Sequence, residues 1–517
     1  MNYRIGIDVG GTNTDAVILD EALQPIAQVK TPTTADVSGG INYAMKQVLL
    51  QANINRSKIK YAMLGTTHCT NAIVERKRLN KVAVIRIGLP ATSAIKPMTG
   101  WPEDLKAAIG NMHFLVHGGH EFDGREIAGL DEARIREVAR QIKGRAESVA
   151  IISVFSPVSA DHEERAEAII REELGDIPIS LSKEIGSVGL LERENATILN
   201  ATLVDVARTT ADGFVAALNQ EGVDAKVYLC QNDGTLMSVE YAKRYPILTI
   251  ACGPTNSIRG AAYLAKLHNA LVVDVGGTTT DVGVLVNGFP RESSAAVEIG
   301  GVRTNFRMPD LISIGLGGGT VVRETEEGLT LGPDSVGYRI QEEALIFGGQ
   351  TLTTSDVVTA LGRANIGDPA KVEHLSDELK DQAYKRILEM TEDVIERMKT
   401  SPDPIPVIMV GGGSIILPDE LEGVSEVIRP DYYAVANAIG SAISQVSGQI
   451  EQIFSIDELG REGAIAKAKE LAVQEAIKAG ADPDTIEIVD IEDVPLAYLP
   501  GNATRIRVKA AGDLSIS

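Results

Sequence analysis

One eight-residue motif occurs twice in this chain, and the repeat constrains the fold more than any other feature. DVGGTNTD occupies residues 8–15 and DVGGTTTD occupies residues 274–281, so the two copies differ at one position. An apolar run precedes each copy and an alternating segment follows it, which predicts a strand, a glycine turn and a partner strand. The separation is far too long for a solenoid repeat. The sequence therefore predicts two similar domains that face each other, each containing one such β-hairpin.

Each turn carries groups suited to binding phosphate. Adjacent glycines let backbone N–H groups approach a ligand, successive N–H groups form a nest for an anion, and threonine hydroxyls add donors. Because carboxylates repel phosphate, Asp8 and Asp274 are predicted to hold Mg²⁺ through water or to orient a nucleophile. Two facing turns can clamp the β- and γ-phosphates of a nucleoside triphosphate; a glycine-rich β-turn stabilised by Asp is the alternative. The expected phosphate contacts are Gly10, Gly11, Thr12, Asn13, Thr14, Gly276, Gly277, Thr278, Thr279 and Thr280.

Two triple-glycine loops follow the second copy of the motif. VIMVGGGSIILP, residues 407–418, predicts a strand, a loop and a helix start, which suits a contact with adenosine and the α-phosphate. ISIGLGGGT, residues 312–320, predicts a similar loop. For the loop at residues 407–418, a tight turn between a strand and a helix is the alternative. The nucleotide interpretation assigns contacts to Gly317, Gly318, Gly319, Gly411, Gly412, Gly413 and Ser414.

The remaining pattern is that of a multidomain α/β protein. The chain has 517 residues, too many for one hydrophobic core. Apolar runs predict strands at residues 81–89, 148–156 and 226–234, and helical patterns cover residues 37–52, 161–174, 190–218 and 374–399. From about residue 455 the pattern is helix, strand, strand, which predicts a small appended α/β unit.

Charge and cysteine usage exclude several classes of function. The net charge of −22 argues against nucleic acid and anionic membranes as partners. Three scattered cysteines form neither a disulfide framework nor a CxxC metal motif, which fits a reducing compartment. No apolar run reaches the ~18 residues that a membrane span requires, and the first residues lack the pattern of a signal peptide. These features predict a soluble cytoplasmic protein.

The stretch GTTHCTNA, residues 65–72, is the first of three other candidate sites. It follows a predicted strand and is rich in donors, which favours a substrate loop formed by Thr66, Thr67 and Asn71. His68 can act there as a general acid or base, whereas Cys69 is predicted to pack. A satisfied polar turn is the alternative.

The other two candidates are a histidine cluster and a polar helix start. His113, His117 and His120 lie close together, and His-x₃-His on a helix followed by a third histidine can bind a divalent metal. A structural loop is the alternative, because Gly118–Gly119 interrupts a helix. Glu194 and Asn195 begin a long helical pattern and can face the substrate cleft, with helix capping and packing as the alternative.

The ordered set of motifs resembles the hydantoinase/oxoprolinase A family of the actin-like ATPase superfamily. The resemblance is carried by the two DVGGT turns and by GTTHCTNAIVER, ERENATILNATL, LCQNDGTLMS, TIACGPTNSIRGAA and GLGGGT, which together extend over residues 3 to 445. It implies an α/β fold in which two ribonuclease-H-like domains surround a cleft for ATP and Mg²⁺. The expected division is residues 1–185, residues 186–450 and a C-terminal unit at 451–517.

The same resemblance implies a choice of activities. Members open cyclic amides such as hydantoins or 5-oxoproline, or carboxylate ketones, by phosphorylating a carbonyl or enolate oxygen. The chain departs from the family pattern at Cys252–Thr255 and Asn232–Thr235. The resemblance therefore predicts phosphate binding more strongly than it predicts the family's substrate chemistry. We expect a cyclic amide hydrolase subunit working with a B-type partner subunit. The alternatives are a small-molecule kinase, a ketone carboxylase subunit and a nucleotide-gated regulator, and the chain can also form a homo-oligomer.

Overall fold

A computed structural model describes residues 2–33, 37–185, 188–293, 297–305, 308–326, 328–496, 499 and 501–514. No helix within these ranges is both long enough and apolar enough to cross a membrane. The elements up to residue 185 are β1 (Tyr3–Val9), β2 (Asn13–Leu19), β3 (Pro25–Pro32), α1 (Val37–Ala52), β4 (Ile59–Thr66), α2 (His68–Glu75), β5 (Val82–Leu89), α3 (Glu103–Ala108), β6 (Met112–His117), α4 (Glu132–Ile142), β7 (Ser148–Ser153), α5 (Asp161–Leu174) and β8 (Ile179–Leu181).

The middle of the chain contains two consecutive helices where the sequence predicts a single one. The helical pattern of residues 190–218 is interrupted at Leu203. The elements from residue 190 to 335 are α6 (Leu190–Thr202), α7 (Val204–Gln220), β9 (Lys226–Cys230), β10 (Thr235–Ser238), α8 (Val239–Arg244), α9 (Cys252–Ala265), β11 (Ala270–Val275), β12 (Thr280–Val286), β13 (Phe289–Pro290), β14 (Val297–Ile299), β15 (Val302–Thr304), β16 (Leu311–Ile314), β17 (Thr320–Thr325) and β18 (Gly328–Ser335).

The last third begins with short helices and ends with strands. Its elements are α10 (Ile340–Glu343), α11 (Thr354–Ala360), α12 (Asp377–Met398), β19 (Ile405–Val410), β20 (Val424–Ile428), α13 (Ala436–Ile443), β21 (Gln445–Phe454), α14 (Ile456–Lys478), β22 (Glu487–Pro495) and β23 (Thr504–Gly512). The predicted strands at 81–89, 148–156 and 226–234 and the predicted helices at 37–52, 161–174 and 374–399 are all present, with ends that differ by a few residues.

Both predicted hairpins form, and they have the same register. Strand β1 pairs antiparallel with β2 and places Asp8 opposite Asp15. Strand β11 pairs antiparallel with β12 and places Asp274 opposite Asp281. Each first strand also has a parallel neighbour, β4 for β1 and β19 for β11. The two copies of the motif therefore occupy equivalent positions in two separate sheets.

The first sheet has nine strands in the order β22-β23-β21-β10-β9-β4-β1-β2-β3. Alternate side chains of β1 and β2 enter different cores, as the two-residue period of a strand requires. Ile5 and Ile18 pack with α1 and α7 on one face, whereas Val17 and Leu19 pack with α13 on the other. The sheet is consequently covered on both faces by helices.

The C-terminal residues continue this first sheet, so the predicted small α/β unit adds its strands to an existing sheet. Strand β21 pairs with β10 and β23, and β23 pairs with β22, so the predicted range 451–517 contributes strands to the sheet that begins at residue 3. Helix α14 covers these strands through a stripe of buried alanines, Ala464, Ala468, Ala472 and Ala476. The three predicted ranges therefore do not coincide with the sheets.

Two other sheets complete the α/β core. Strands β6-β5-β7-β8 form a parallel four-stranded sheet within the first 185 residues. Strands β13-β12-β11-β19-β20 form a mixed sheet, to which β16 adds through β12. Each hairpin of the repeat thus lies in its own sheet, as the sequence predicts.

Helices α9 and α13 join the two halves at a glycine crossing. Helix α13 packs on β1 and β2, whereas α9 packs on β11, β12 and β19. A Cβ atom added at Gly260 would lie 1.8 Å from the carbonyl oxygen of Ala436, and one added at Gly440 would lie 1.8 Å from that of Asn256. The backbones of the two helices therefore touch directly. The contact is nearly symmetric, because Gly260 lies four residues after Asn256 in α9 and Gly440 lies four residues after Ala436 in α13.

Candidate functional site

The two glycine turns of the repeat face each other across a common cavity. Thr12 Oγ1 and Thr278 Oγ1 are 2.9 Å apart. Each turn is closed by the same backbone bond, from Gly10 N to Asn13 O and from Gly276 N to Thr279 O, both at 2.9 Å. The repeat therefore builds two similar jaws that meet at their threonine hydroxyls.

A cavity of about 310 Å³ lies between these jaws, and its size and lining suit a chain of phosphates. Backbone N–H groups, hydroxyls, one ammonium group and two carboxylates surround it. The lining residues are Gly10, Gly11, Thr12, Asn13, Asp15, Lys30, Ser257, Asp274, Gly276, Gly277, Thr278, Thr279, Gly411, Gly412, Ala434, Ala436 and Asn437. Most of the predicted phosphate contacts are in this set. Thr14 and Thr280 are buried, and Thr280 donates its hydroxyl hydrogen to the carbonyl of Leu316.

Asp8 is buried beneath the first jaw and is held by two asparagines. Asn256 Nδ2 donates to Asp8 Oδ1 at 3.1 Å, and Asn437 Nδ2 donates to Asp8 Oδ2 at 2.9 Å. Burial raises the pKa of Asp8 to about 6, against the lowering effect of the Asn256 amide. A Cβ atom at Gly65, at the end of the parallel strand β4, would lie 2.1 Å from Asp8 Oδ1. The carboxylate is thus fixed close to, but not on, the cavity wall.

Asp15 and Lys30 form the charged side of the cavity. Lys30 Nζ lies 2.6 Å from Asp15 Oδ1, and Asn437 Nδ2 donates to Asp15 Oδ2 at 2.8 Å. The Asp15 side chain is 2% exposed, whereas that of Lys30 is 33% exposed. Among the residues that line the described cavity, Lys30 is the one cation. It can therefore reach an anion in the cavity while remaining next to Asp15.

Asp274 occupies the equivalent position beneath the second jaw. Burial raises the pKa of its carboxyl group, while a hydrogen bond from Ser257 and the charge of Lys30 lower it. A Cβ atom at Gly411, at the end of the parallel strand β19, would lie 2.3 Å from Asp274 Oδ1. Gly411 in the second half thus corresponds to Gly65 in the first half, so each jaw carboxylate lies against a glycine of the neighbouring parallel strand.

The loop of residues 317–319 supports the second jaw from behind. Gly318 N donates to Gly276 O at 3.0 Å, and Gly319 N donates to Gly277 O at 2.7 Å. A Cβ atom at Gly317 would lie 2.6 Å from the backbone nitrogen of Thr278. This loop and the residues Gly413 and Ser414 are absent from the cavity lining, so the nucleotide contacts assigned to Gly317, Gly318, Gly319, Gly413 and Ser414 have no geometric support. Gly411 and Gly412 do line the cavity.

The predicted substrate loop at residues 65–72 is a polar turn in which most side chains have hydrogen-bond partners, although His68 Nε2 is buried without one. Thr67 donates its hydroxyl hydrogen to the carbonyl of Val9, and Asn71 Nδ2 contacts Thr67 Oγ1 at 3.5 Å. Thr66 is buried, and its hydroxyl accepts a bond from the backbone N–H of His68. None of the four residues Thr66, Thr67, His68 and Asn71 lines the phosphate cavity. The alternative of a structural turn fits this geometry.

His68 is placed unfavourably for acid–base chemistry. Its ring is 5% exposed, and its Nδ1 lies 3.0 Å from Thr210 Oγ1 on helix α7. Burial, helped by the charge of Arg78, lowers the pKa of His68 to about 4. The imidazole is therefore neutral near pH 7 and absent from the lining of the phosphate cavity, which does not favour the predicted catalytic role.

Glu194 and Asn195 serve packing between elements. Glu194 accepts two hydrogen bonds of 2.6 Å from Arg86, and both side chains are fully buried. Asn195 accepts a hydrogen bond from Trp101 Nε1 and donates one to the carbonyl of Arg303, each at 2.8 Å. Their polar groups are occupied, so the predicted role in substrate binding gives way to the packing alternative.

The histidine cluster differs from the predicted metal site. His113 and His117 lie on strand β6 rather than on a helix. His120 instead lies near Glu126 and His162. Among the described residues, these three form the group whose potential metal-ligand atoms all lie within 4.8 Å of one another. Gly119 N donates to His162 Nδ1 at 2.9 Å, so His162 Nε2 carries the proton and donates to Glu126 at 3.1 Å. A nitrogen that bears a proton offers no lone pair to a metal, so this cluster is a hydrogen-bonded loop anchor.

Four residues of the site were not predicted from the sequence. Lys30, Ser257 and Asn437 line the cavity, and Asn256 and Asn437 hold Asp8. Lys30 lies near the end of strand β3, which directly follows the first hairpin in the sequence. This closeness in the sequence could have indicated that Lys30 lies near the first jaw. Ser257, Asn256 and Asn437 come from helices α9 and α13, where nothing local in the sequence indicates proximity to Asp8.

Two half-structures, each presenting a hairpin turn to a common cleft, define the actin-like ATPase fold. The fold is also that of two solved structures at 19% sequence identity. An ATP-dependent caprolactamase from Pseudomonas jessenii superimposes with a TM-score of 0.80, and a nucleotide-free acetone carboxylase with a TM-score of 0.72. Each alignment covers 99% of this chain and 88% of the other.

The chain belongs to the hydantoinase/oxoprolinase family. Residues 4–174 match the hydantoinase/oxoprolinase N-terminal region, and residues 193–450 match the hydantoinase/oxoprolinase domain. The acetophenone carboxylase gamma subunit of Aromatoleum aromaticum is 28% identical over 70% of this chain and 53% of its own length. The caprolactamase subunit alpha of Pseudomonas jessenii is 26% identical over 70% of this chain and 54% of its own length. The chain thus spans about half the length of these relatives.

A relative of similar length extends the resemblance to the whole chain. An uncharacterized protein of Methanocaldococcus jannaschii is 26% identical over 99% of this chain and 83% of its own length. The match includes the range beyond residue 450, where helix α14 and strands β22 and β23 extend the first sheet.

Proposed function

We propose that the cavity between the two jaws binds the phosphates of ATP and that the chain is the ATP-dependent subunit of an enzyme that activates a carbonyl group. The observation that carries this proposal is the pair of turns that meet at 2.9 Å around a cavity of about 310 Å³. Nest-forming glycines and threonine hydroxyls on both sides supply donors to phosphate oxygens from two directions.

The charges of the site fit Mg²⁺ together with the phosphates. Asp8, Asp15 and Asp274 lie at or just beneath the cavity wall, and Lys30 is the cation among the described lining residues. A polyphosphate entering beside three carboxylates requires added positive charge, and Mg²⁺ is bound by carboxylates, waters and phosphate oxygens. Asp8 and Asp274 are the residues that would hold the ion through water, and Lys30 would neutralise a phosphate oxygen.

The supported chemistry is phosphoryl activation of a carbonyl oxygen. ATP supplies a phosphoryl group that turns the oxygen of an amide or enolate into a leaving group. The chain contributes positioning and charge stabilisation, which account for most of the catalysis in phosphoryl transfer. The jaws would hold the phosphates, and the buried carboxylates Asp8 and Asp274 would orient the waters of the metal ion.

Two reactions follow from this activation, and we propose opening of a cyclic amide as the first. The caprolactamase relative and the 5-oxoprolinases of Arabidopsis thaliana and Dictyostelium discoideum favour hydrolysis of a lactam. The acetophenone and acetone carboxylase relatives favour carboxylation of a ketone as the alternative. Several of these relatives are named as subunits, which supports a partner subunit for this chain, and we propose that this partner is of the B type.

ATP turnover with variants of the jaw carboxylates tests the proposal. We expect purified protein to hydrolyse ATP in the presence of Mg²⁺, with a lactam such as hydantoin or 5-oxoproline, or a ketone, increasing the rate. Asp8→Asn and Asp274→Asn should each abolish turnover while circular dichroism shows an intact fold. The exposed Asp224 provides the control, because Asp224→Asn removes a carboxylate far from the cavity. Wild-type hydrolysis by either jaw variant would contradict the proposal.

A further inference from the structure

A second cavity, of about 440 Å³, lies apart from the phosphate cavity and shares no lining residue with it. It opens beyond the end of strand β9, between the β9–β10 turn, strand β21 and the end of helix α14. Strands β9, β4 and β1 are parallel neighbours, so this cavity and the first jaw lie at the same edge of the sheet, roughly 10 Å apart by strand spacing. Ligands of open α/β sheets bind at this edge, where the strands end.

The lining combines an apolar wall with charged groups. Ile185, Leu236, Met237 and Leu248 form the apolar part. Five carboxylates and two ammonium groups form the charged part, and these are Glu184, Asp233, Glu292, Glu451, Glu475, Lys183 and Lys478. The size of the cavity is that of a small-molecule site, and its many charged groups favour a ligand that is itself charged.

The innermost charges facing this cavity are negative. The side chains of Asp233 and Glu292 are 14% and 15% exposed. Lys509 Nζ pairs with Asp233 at 2.9 Å, and Arg507 pairs with Glu292 at 2.7 Å, but both cations lie behind the wall and are absent from the lining. Burial raises the pKa of Asp233 and the charge of Lys509 lowers it, with a net decrease, so this carboxylate is ionised at neutral pH.

The two lysines supply positive charge at another part of the wall. Lys183 follows strand β8 and pairs with Glu164, which is absent from the lining, and Lys478 lies in the last turn of helix α14, where it pairs with Glu475 at 2.6 Å. The ends of a short aliphatic molecule can therefore meet opposite charges, with the apolar wall against its chain. Neither a simple carboxylate nor a simple amine satisfies both parts of this lining.

We propose that this second cavity binds a small amino acid whose ammonium and carboxylate groups are separated by a short aliphatic chain. Opening of a cyclic amide yields this class of compound, so the choice of ligand rests on the proposed function, whereas the existence of the site does not. The cavity is also connected to the jaws. The carbonyl of Asn232, on its wall, accepts a 2.8 Å hydrogen bond from Thr255, and Thr255 precedes the Asn256 that holds Asp8.

Titration calorimetry on the full chain without nucleotide tests this inference with three probes of equal length. We expect 6-aminohexanoate to bind, and hexanoate and hexylamine each to bind at least about threefold more weakly, because each lacks one charge. Lys478→Met should weaken binding of 6-aminohexanoate about threefold, because it removes a cation that faces the ligand carboxylate. Ala479→Leu, which fills part of the cavity without changing a charge, should abolish binding.

Lys467→Met is the matched control for the charge variant. Lys467 lies on the same helix and pairs with Glu470 at 3.1 Å, as Lys478 does with Glu475, but it is absent from the cavity lining. We expect this variant to bind 6-aminohexanoate as the wild type does. A melting temperature measured for each variant separates loss of the site from loss of the fold, and the exposed Lys478 keeps the test valid if Ala479→Leu unfolds the protein.

Three results would overturn the inference: no binding of 6-aminohexanoate, equal binding of the three probes, or binding that Lys478→Met and Ala479→Leu leave unchanged. ATP turnover is measured in separate samples. Binding of the amino acid by a protein that does not hydrolyse ATP would overturn the proposed function and leave this site standing. Lactam-stimulated ATP turnover without amino acid binding would support the proposed function and overturn the amino acid site.

Discussion

Lys30 is the residue that links the carboxylates of the site to the phosphates it is proposed to bind. Its ammonium group touches Asp15 and lines the cavity. We predict that Lys30→Met raises the Kd for ATP about 10- to 100-fold, because a hydrogen bond between charged groups contributes about 1.5–3 kcal/mol. The exposed Lys58 offers a control, since Lys58→Met removes a lysine far from the site. Equal Kd values for Lys30→Met and wild type, measured by fluorescence titration, would exclude Lys30 from phosphate binding.

Asp281, which closes the second turn, gives a prediction about stability and pH. Burial raises its pKa to about 6, although a hydrogen bond from Ser313 opposes the rise. A folded-state pKa above the unfolded value of 3.8 means that the folded protein binds more protons, so the free energy of unfolding falls between pH 4 and pH 6. Asp281→Asn lacks this titrating carboxyl group, so its free energy of unfolding does not show this fall. Relative to wild type, its free energy of unfolding should therefore increase by about 1–3 kcal/mol between pH 4 and pH 6.

Urea unfolding of both proteins at pH 4, 5, 6 and 7 measures this difference. The difference in free energy should grow up to pH 6 and stay constant above it. Asp224→Asn, at an exposed position, should give a difference that does not change with pH. A constant difference for Asp281→Asn as well would show that its carboxyl group titrates normally.

Single residues also show where prediction from the sequence succeeded and where it failed. Thr12 and Thr278 were predicted to face each other because the two motifs are nearly identical, and they meet in the structure. His68 was assigned acid–base chemistry because its neighbours are polar, but the ring is buried against helix α7. Burial depends on which elements pack together, and a single sequence does not contain that information in any local pattern.

At the scale of elements, the crossing of helices α9 and α13 determines the geometry of the carboxylates. We predict that Gly260→Ala and Gly440→Ala each lower the free energy of unfolding by about 1–3 kcal/mol and reduce ATP turnover. The added Cβ atom would meet a backbone carbonyl at 1.8 Å, so the helices must separate, and Asn256 and Asn437 must move away from Asp8.

Gly463→Ala is the matched control for this substitution. Gly463 lies within helix α14, and a Cβ atom added there would meet only Leu459 Cβ at 3.7 Å, which is an ordinary contact. Alanine should therefore leave ATP turnover unchanged and stabilise the helix slightly. Wild-type stability and turnover in both crossing variants would show that the helices tolerate separation.

The elements themselves were largely predictable, because helices and strands depend on local periodicity. The hairpins of the repeat and helix α12 follow their apolar patterns closely. The break between α6 and α7 at Leu203 was missed, because Leu203 continues the apolar pattern and carries no helix-ending residue. The pairing of β21 with β10 joins residues more than 200 positions apart, and no local signal encodes it.

At the scale of the whole molecule, the C-terminal residues belong to the structure that carries the first jaw. Strand β23 lies between β21 and β22 in the nine-stranded sheet. We predict that a chain ending at residue 454 loses the cooperative unfolding transition and aggregates, because β21 becomes an exposed edge and the core under α14 opens. A soluble truncated protein with the melting temperature of the full chain would show that residues 455–517 form an independent unit.

The contact between Gly260 and Gly440 also has a mechanical consequence. Two helices that touch through their backbones at one point keep a fixed separation there, but the angle between them can change. Helix α13 packs on the sheet of the first jaw, and α9 packs on the sheet of the second jaw and also on β4, so a change in the crossing angle would change the distance between the jaws. Such a change would alter the separation of Thr12 and Thr278. Asn256, whose carbonyl lies at the crossing, is close to the axis of such a rotation and would remain beside Asp8.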